Sequence, residues 1–292
     1  MMPGAAHLDL DDAWREEPLQ LPIINAKKWG PVLRFSAPAR VVENFYREFE
    51  KQLPPFILYG SGDFHYLTAL WIRAIAAGPA RTEPITVISF DNHPDWDIRP
   101  PKWACGGWVN RALELPHVEK VSVWGCGNFE CWWPHNIFGN RRAERQGRLE
   151  VHPWADGRST FDRNRRGAIL RENWQDHFQR FIQTISGTAV YITVDMDCFV
   201  EAEAVTNWEN GRFTTADLAW SLQEVRKHCR VIGGDICGAY SEPQYARWKQ
   251  RFASEFDHPK LSRPSASEIR EINFRCLTKI WPVLVSKPDN AV

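Results

Sequence analysis

No run of eighteen apolar residues occurs in the chain, so no transmembrane helix is expected. The opening segment MMPGAAHLDLDDAWREE is acidic and has no apolar stretch of the kind a signal peptide carries. Excess charge is also missing. Thirty-six basic residues balance thirty-six acidic ones, which argues against a polyanionic partner such as nucleic acid, and RNRR at 163–166 reads as a solvated loop. The seven cysteines (105, 126, 131, 198, 229, 237 and 276) are odd in number and include no C-x-x-C pair. Reduced, buried thiols in a cytoplasmic protein are therefore expected, rather than a disulfide framework. There is no phosphate loop, no G-x-S-x-G and no convincing G-x-G-x-x-G.

What the chain has is enough apolar content (43%) for a sizeable core and an unusual fifteen tryptophans, which must pack inside or line a pocket. Short apolar runs alternate with helix-like segments. Strands are predicted at 56–60, 86–90, 118–127, 189–197 and 231–236. Helices are predicted over 67–77, 108–115, about 168–185, 214–228 and from Ser265 through Ile280. The last two open with capping boxes, Thr214 with Asp217 and Ser265 with Glu268. Alternation of this kind implies a parallel sheet with helices on both faces, and ligands in such sheets bind beyond the carboxyl ends of the strands. The expectation is a single α/β domain over 1–292, with 1–50 an N-terminal extension packing on it.

Two of the predicted strands end in acids. ITVISF runs into DNHPDWD, with Asp91, His93, Asp95 and Asp97 spaced two apart, and AVYITV runs into Asp195 and Asp197. Side chains two apart share a face, so Asp91, His93 and Asp95 converge if the strand continues past Phe90. Packed carboxylates repel and resist burial, and no Lys or Arg interrupts either cluster. Divalent metal is the simplest compensation. Four carboxylates (Asp91, Asp95, Asp195, Asp197) match the charge of two ions. Oxygen-rich ligation with some imidazole suits Mn²⁺, with Fe²⁺, Co²⁺, Ni²⁺ or Zn²⁺ as alternatives. His65, just after the first glycine turn, would add a second imidazole, with Asp63 as its competitor. Thiolates are not expected as ligands, because Cys198 directly follows Asp197 and points the other way.

These segments, GSGDFH, DNHPD and TVDMD, each after a strand, resemble the three signatures of the arginase/agmatinase (ureohydrolase) superfamily over about 60–245. The resemblance implies a three-layer α/β/α fold with a mainly parallel sheet. It also implies one Mn²⁺ held by His65, Asp91, Asp95 and Asp195, and a second held by Asp91, His93, Asp195 and Asp197. Asp91 and Asp195 would bridge the two. It further implies a small-molecule substrate whose planar amidine or guanidinium carbon is attacked by water activated between the ions.

The chain departs from the family pattern in four places. Phe64 intervenes between Asp63 and His65, and Val200 stands where the third motif has an Asp. Trp108 occupies the region of the family's proposed proton-shuttle His. Gly238 replaces a late Glu that holds the guanidinium. Arginine itself is then a poor expectation, since that carboxylate supplies much of the charge-assisted pairing. Asp97 is a candidate proton carrier, and Trp108, Asn128 and Glu242 are candidate substrate contacts. Glu209 and Glu201 are further acids that could reach in. Trp96, Trp103 and Trp108 could form an aromatic wall.

The favoured expectation is a manganese hydrolase of non-peptide C–N bonds. Its rivals are a one-zinc deacetylase-like amidohydrolase using Asp91, His93 and Asp195, and a non-catalytic metal-binding relative. Membrane partners are not expected, and a homo-oligomer is left open.

Overall fold

The structure, a computed structural model, describes residues 4–77 and 83–286. Eight strands form one sheet: β1 (Ala5–Asp9), β2 (Ile23–Asn25), β3 (Phe56–Tyr59), β4 (Ile85–Phe90), β5 (Val118–Cys126), β6 (Leu149–Pro153), β7 (Ala189–Asp195) and β8 (Arg230–Cys237). Their order is β2-β1-β3-β8-β7-β4-β5-β6, and every pairing is parallel. All carboxyl ends therefore lie along one side of the molecule.

The alternation of side chains explains the three layers. In β4, Val87 packs into one core while Ile88 and Phe90 pack into the other; in β7, Tyr191 faces the first core and Val190, Ile192 and Val194 the second. The first face is covered by the helices Ala39–Phe49, Thr68–Ala76 and Trp108–Leu113. The second is covered by Trp174–Thr184, Thr215–His228 and Ala266–Val285. Both predicted capping boxes form, and the helix Thr215–His228 ends on Arg226, Lys227 and His228, which suit its negative end.

Two expectations change. The N-terminal fifty residues do not merely pack on the domain; they supply β1 and β2, and β1 pairs with β3. The helix expected from about 168 starts at Trp174, because Ile169 is drawn into a bridge with Trp154 and the Leu170 amide donates to the Asn173 side chain.

Most of the tryptophan belongs to the cores. Trp14, Trp71, Trp96, Trp108, Trp124, Trp154, Trp174 and Trp281 are fully buried. No described helix is long and apolar enough to cross a membrane.

Candidate metal centre and cleft

Strands β4 and β7 are neighbours, with Phe90 paired to Val194, so their acidic continuations leave the sheet side by side. β8 lies on the other flank of β7, and Cys237 pairs with Asp195. The turn after β3 folds into a short 3₁₀ helix, Gly62–Leu67, that carries His65 over the same end.

The result is a buried cluster. His65 Nδ1 lies 3.2 Å from Asp91 Oδ2, 3.3 Å from Asp95 Oδ2 and 3.4 Å from Asp195 Oδ2. His93 Nδ1 lies 2.8 Å from Asp197 Oδ2 and 3.8 Å from Asp91 Oδ1. The Asp197 amide donates to Asp195 Oδ1 at 3.2 Å, and the Asn92 amide to Asp197 Oδ1 at 3.0 Å. Two groups with ligand atoms within 4.8 Å of one another result, His65–Asp91–Asp95 and Asp91–His93–Asp197, and they share Asp91.

The six side chains do not converge by the route expected. β4 ends at Phe90, and Asp95 takes a left-handed backbone, φ 43°. A loop, not a continued strand, turns the three residues inward. Asn92 holds that loop, accepting from the Gly127 amide at 3.0 Å and donating to the Glu209 carbonyl at 2.9 Å.

His65 is oriented from behind. Its Nε2 sits 2.9 Å from Thr193 Oγ1, which donates to Asp235 Oδ1 at 2.6 Å; Tyr191 and Thr68 also donate to Asp235. Nδ1 is left facing the carboxylates, an arrangement typical of ligating imidazoles. Asp195 is enclosed by two glycines. A Cβ at Gly62 would come within 2.9 Å of its Oδ2, and one at Gly238, whose φ is 103°, would overlap its Oδ1.

Charge in the cluster is only partly compensated, by its two imidazoles. Burial and Asp197 hold Asp195 well above the ordinary carboxylate range, and burial and Asp95 raise Asp91. Burial pushes Asp197 up to about 6 although His93 opposes it. Burial would lower both imidazoles. Asp91 and Asp95 nevertheless hold His65 well above its usual value, and Asp197 and Glu209 do so for His93. Asp91 Oδ2 and His65 Nδ1 are buried and, although 3.2 Å apart, are not aligned for a hydrogen bond to each other and have no other partner among the described residues. Orphaned atoms of this kind amid like charges are what a cation site presents, and the residues fit divalent metal.

The structure brings together His65, Asp91, His93, Asp95, Asp195 and Asp197, and places the other candidates unequally. Asn128 lines the cleft above the cluster and donates to Glu209 Oε1 at 2.6 Å. Trp108 does not reach the cleft: it is buried with its ring centre 5.0 Å from that of His65, packing behind it. Asp97 is turned away and bound by Arg99, because the left-handed turn at Asp95 ends the period-two pattern. Glu242 lines separate depressions and accepts from Tyr240 at 2.9 Å. Asp63 is no competitor for His65. It is buried between Arg34 Nε (2.7 Å) and His258 Nε2 (2.7 Å).

Sequence reasoning missed several neighbours. Cys237 Sγ lies 3.6 Å from Asp195 Oδ2 and forms a third close group with His65 and Asp195, so a thiol does border the cluster, although Cys198 is in the core as expected. Its pairing opposite Asp195 could not be read without strand order. The aromatic walls are Phe129 and Trp208, not Trp96, Trp103 or Trp108. Glu130 and Asp257, neither of them expected, complete a small cleft of about 70 Å³ together with Glu209, one of the further acids the sequence offered. Burial would raise Glu209, but His93, 3.3 Å away, pulls it down to about 2, whereas burial pushes Glu130 up to about 7.

An all-parallel three-layer α/β protein with a buried carboxylate–imidazole cluster beyond its central strands is the class this geometry defines. The chain belongs to the arginase family, whose model matches residues 20–250. An uncharacterised protein of Thermotoga maritima is 26% identical over 219 residues, covering 74% of this chain and 71% of its own. Among solved structures, the formimidoylglutamase of Bacillus subtilis superposes with a TM-score of 0.56 at 14% identity, covering 97% of this chain and 86% of that one. The Bacillus subtilis arginase superposes with a TM-score of 0.54 at 12% identity, covering 97% and 98%. Likeness at that identity speaks for the fold alone.

Proposed function

We propose that this chain is a metal-dependent hydrolase of non-peptide C–N bonds, acting on amidine or guanidino compounds rather than on arginine. Two divalent ions, Mn²⁺ first among them, would be held by His65, Asp91, Asp95 and Asp195 and by Asp91, His93, Asp195 and Asp197. The observation that carries the reading is the pair of ligand groups sharing Asp91, with orphaned buried atoms at their centre. When bound, such ions supply charge for the carboxylates and Lewis acidity that lowers the pKa of water.

The chain's own residues supply the rest. Thr193 and Asp235 hold the His65 ring, Asn92 ties the β4 loop to β5 and to the 209 loop, and Phe129 and Trp208 wall the cleft. Glu209, between His93 and Asn128, stands beside the cluster in the absence of the late Glu replaced by Gly238, and would receive the substrate cation. Cys237 beside His65 and Asp195 widens the choice of ion toward Zn²⁺, Fe²⁺ or Co²⁺ at that end.

The one-zinc rival needs Asp91, His93 and Asp195 around one ion; the carboxylates that close around His93 are instead Asp91 and Asp197. Elemental analysis of protein purified with Mn²⁺ available, followed by a screen for ammonia, urea or amine release from amidines and guanidines, tests the reading. About two ions per chain, lost in Asp195→Ala, with turnover of at least one compound, is the expected result. A single tightly held zinc, or two ions with no turnover across the screen, would defeat it.

A further inference from the structure

The helix Trp248–Asp257 is amphipathic the reverse of the usual way. Its buried residues are Gln250 and Ser254, whereas Trp248, Phe252 and Phe256 are 73%, 57% and 79% exposed. At about 3.6 residues per turn these three, four apart, form one stripe, and Gln250 and Ser254 fall on the opposite face. Polar contacts hold that inner face to the domain. The Gln250 amide faces the carbonyls of Val32, Arg34 and Ser36 at 3.1, 2.8 and 3.0 Å, and Ser254 bonds to Tyr245 and His258. On the outer face the rings of Phe252 and Phe256 touch, their centres 4.8 Å apart. A contiguous apolar patch left to solvent marks a surface that another surface covers.

The charges on the helix point to its cover. Lys249, Arg251, Glu255 and Asp257 sum to zero, so the stripe lacks the basic flanks of a helix that lies on an anionic membrane. They are also ordered, both cations before Phe252 and both anions after it. Arg251 and Glu255 share one flank of the stripe, a turn apart, and pair at 2.7 Å. Let a second copy of the helix run antiparallel about a two-fold axis beside Phe252. Phe252 then meets its counterpart, Trp248 meets Phe256 of the second copy, and Arg251 lies across from Glu255 of the second copy, each contact made twice. The patch is complementary to itself, as an isologous interface requires.

We propose that this chain forms a two-fold dimer through the helix Trp248–Asp257, packed antiparallel on its copy. The contact is small, one helix from each side, so the dimer dissociates on dilution, with a Kd on the order of micromolar. It bears on the cleft, because the same helix ends in Asp257, which lines it, and is followed by His258, which bonds Asp63. The inference goes beyond the hydrolase reading and stands or falls without it.

Sedimentation velocity of the full chain over a concentration series, from about 1 to about 100 µM, is the test. The wild type should pass from monomer to dimer across the series. Phe252→Asp, on the axis and therefore counted twice, should weaken association about a hundredfold. Arg251→Glu and Glu255→Arg should each weaken it about tenfold or more, because like charges then meet twice across the axis. An equimolar mixture of those two variants should recover the dimer, since both pairs across the axis are again opposite in sign. Misfolding cannot produce that gain. A wild type that stays monomeric throughout, a dimer untouched by Phe252→Asp, or a mixture no more associated than its two components overturns the proposal.

Discussion

The turn GSGDFH feeds two buried polar clusters that lie side by side and are built on opposite principles. Asp63, fully buried, meets Arg34 on one oxygen and His258 on the other; Arg34 in turn reaches Asp11 and Ser241. His65, two residues on, meets Asp91, Asp95 and Asp195, and atoms of that group have no partner. Burial would raise Asp63, but Arg34 and His258 outweigh it and bring it below its ordinary value, while the carboxylates around His65 are driven up. Burial is common to both, so burial does not mark function here. What differs is whether the protein supplies enough counter-charge of its own.

Breaking each cluster in turn should therefore give opposite results. Asp195→Asn should abolish metal binding and lower turnover on the order of a thousandfold, yet the metal-free variant should melt higher than metal-free wild type, because one repelling charge is gone. Calorimetric melting with and without Mn²⁺ checks both halves. Asp63→Asn should do the reverse, keeping its ions while losing about 3–5 kcal/mol of stability, since Arg34 stays buried with its best partner removed; urea unfolding and elemental analysis read the two. Acid gives the same contrast by titration. Asp63 binds fewer protons folded than unfolded, so its contribution is complete above the ordinary carboxylate value of 3.8 and is lost as pH falls through the lowered native value. Asp63→Asn should flatten that acid limb of the stability–pH curve.

A smaller effect should come from behind His65. Thr193→Val removes the hydroxyl at Nε2 and should weaken metal affinity roughly tenfold to a hundredfold, measured by competition with a chelator. Smallest of all, Asp97→Asn and Glu242→Gln should leave kcat/KM within about twofold, in keeping with side chains that lie outside the cleft.

The contrast also shows what could be read without coordinates. β3, β4, β5, β7 and β8 were legible as dense apolar runs because both of their faces are covered. β1, β2 and β6 were not: they carry polar residues such as His7, Asn25 and Glu150. Five of the six clustered side chains were legible because the trio Asp91, His93 and Asp95 and the pair Asp195 and Asp197 each lie within a few residues at a strand end, and His65 because it follows the glycine turn after β3. Asp97 was drawn in by extending the period-two pattern through a loop whose left-handed turn at Asp95 breaks it. Trp208 and Asp257 come from later segments and reach the cleft only through the packing of the loop after β7 and of the helix Trp248–Asp257, as Cys237 reaches the cluster only through the order β8-β7. The counter-charge for Asp63 was equally out of reach, because Arg34 lies 29 residues before it and His258 195 residues after.

The two glycines around Asp195 carry a consequence for how this protein tolerates change. Neither position 62 nor position 238 has a side chain to contribute, yet a single methyl at either would push against the carboxylate in the middle of the cluster. In a saturation scan selected for metal loading, both should score as intolerant as the six clustered side chains. In one selected only for abundance of the metal-free chain, Asp195 should become permissive. The difference between the two scans would trace the outline of the centre without any knowledge of what it binds.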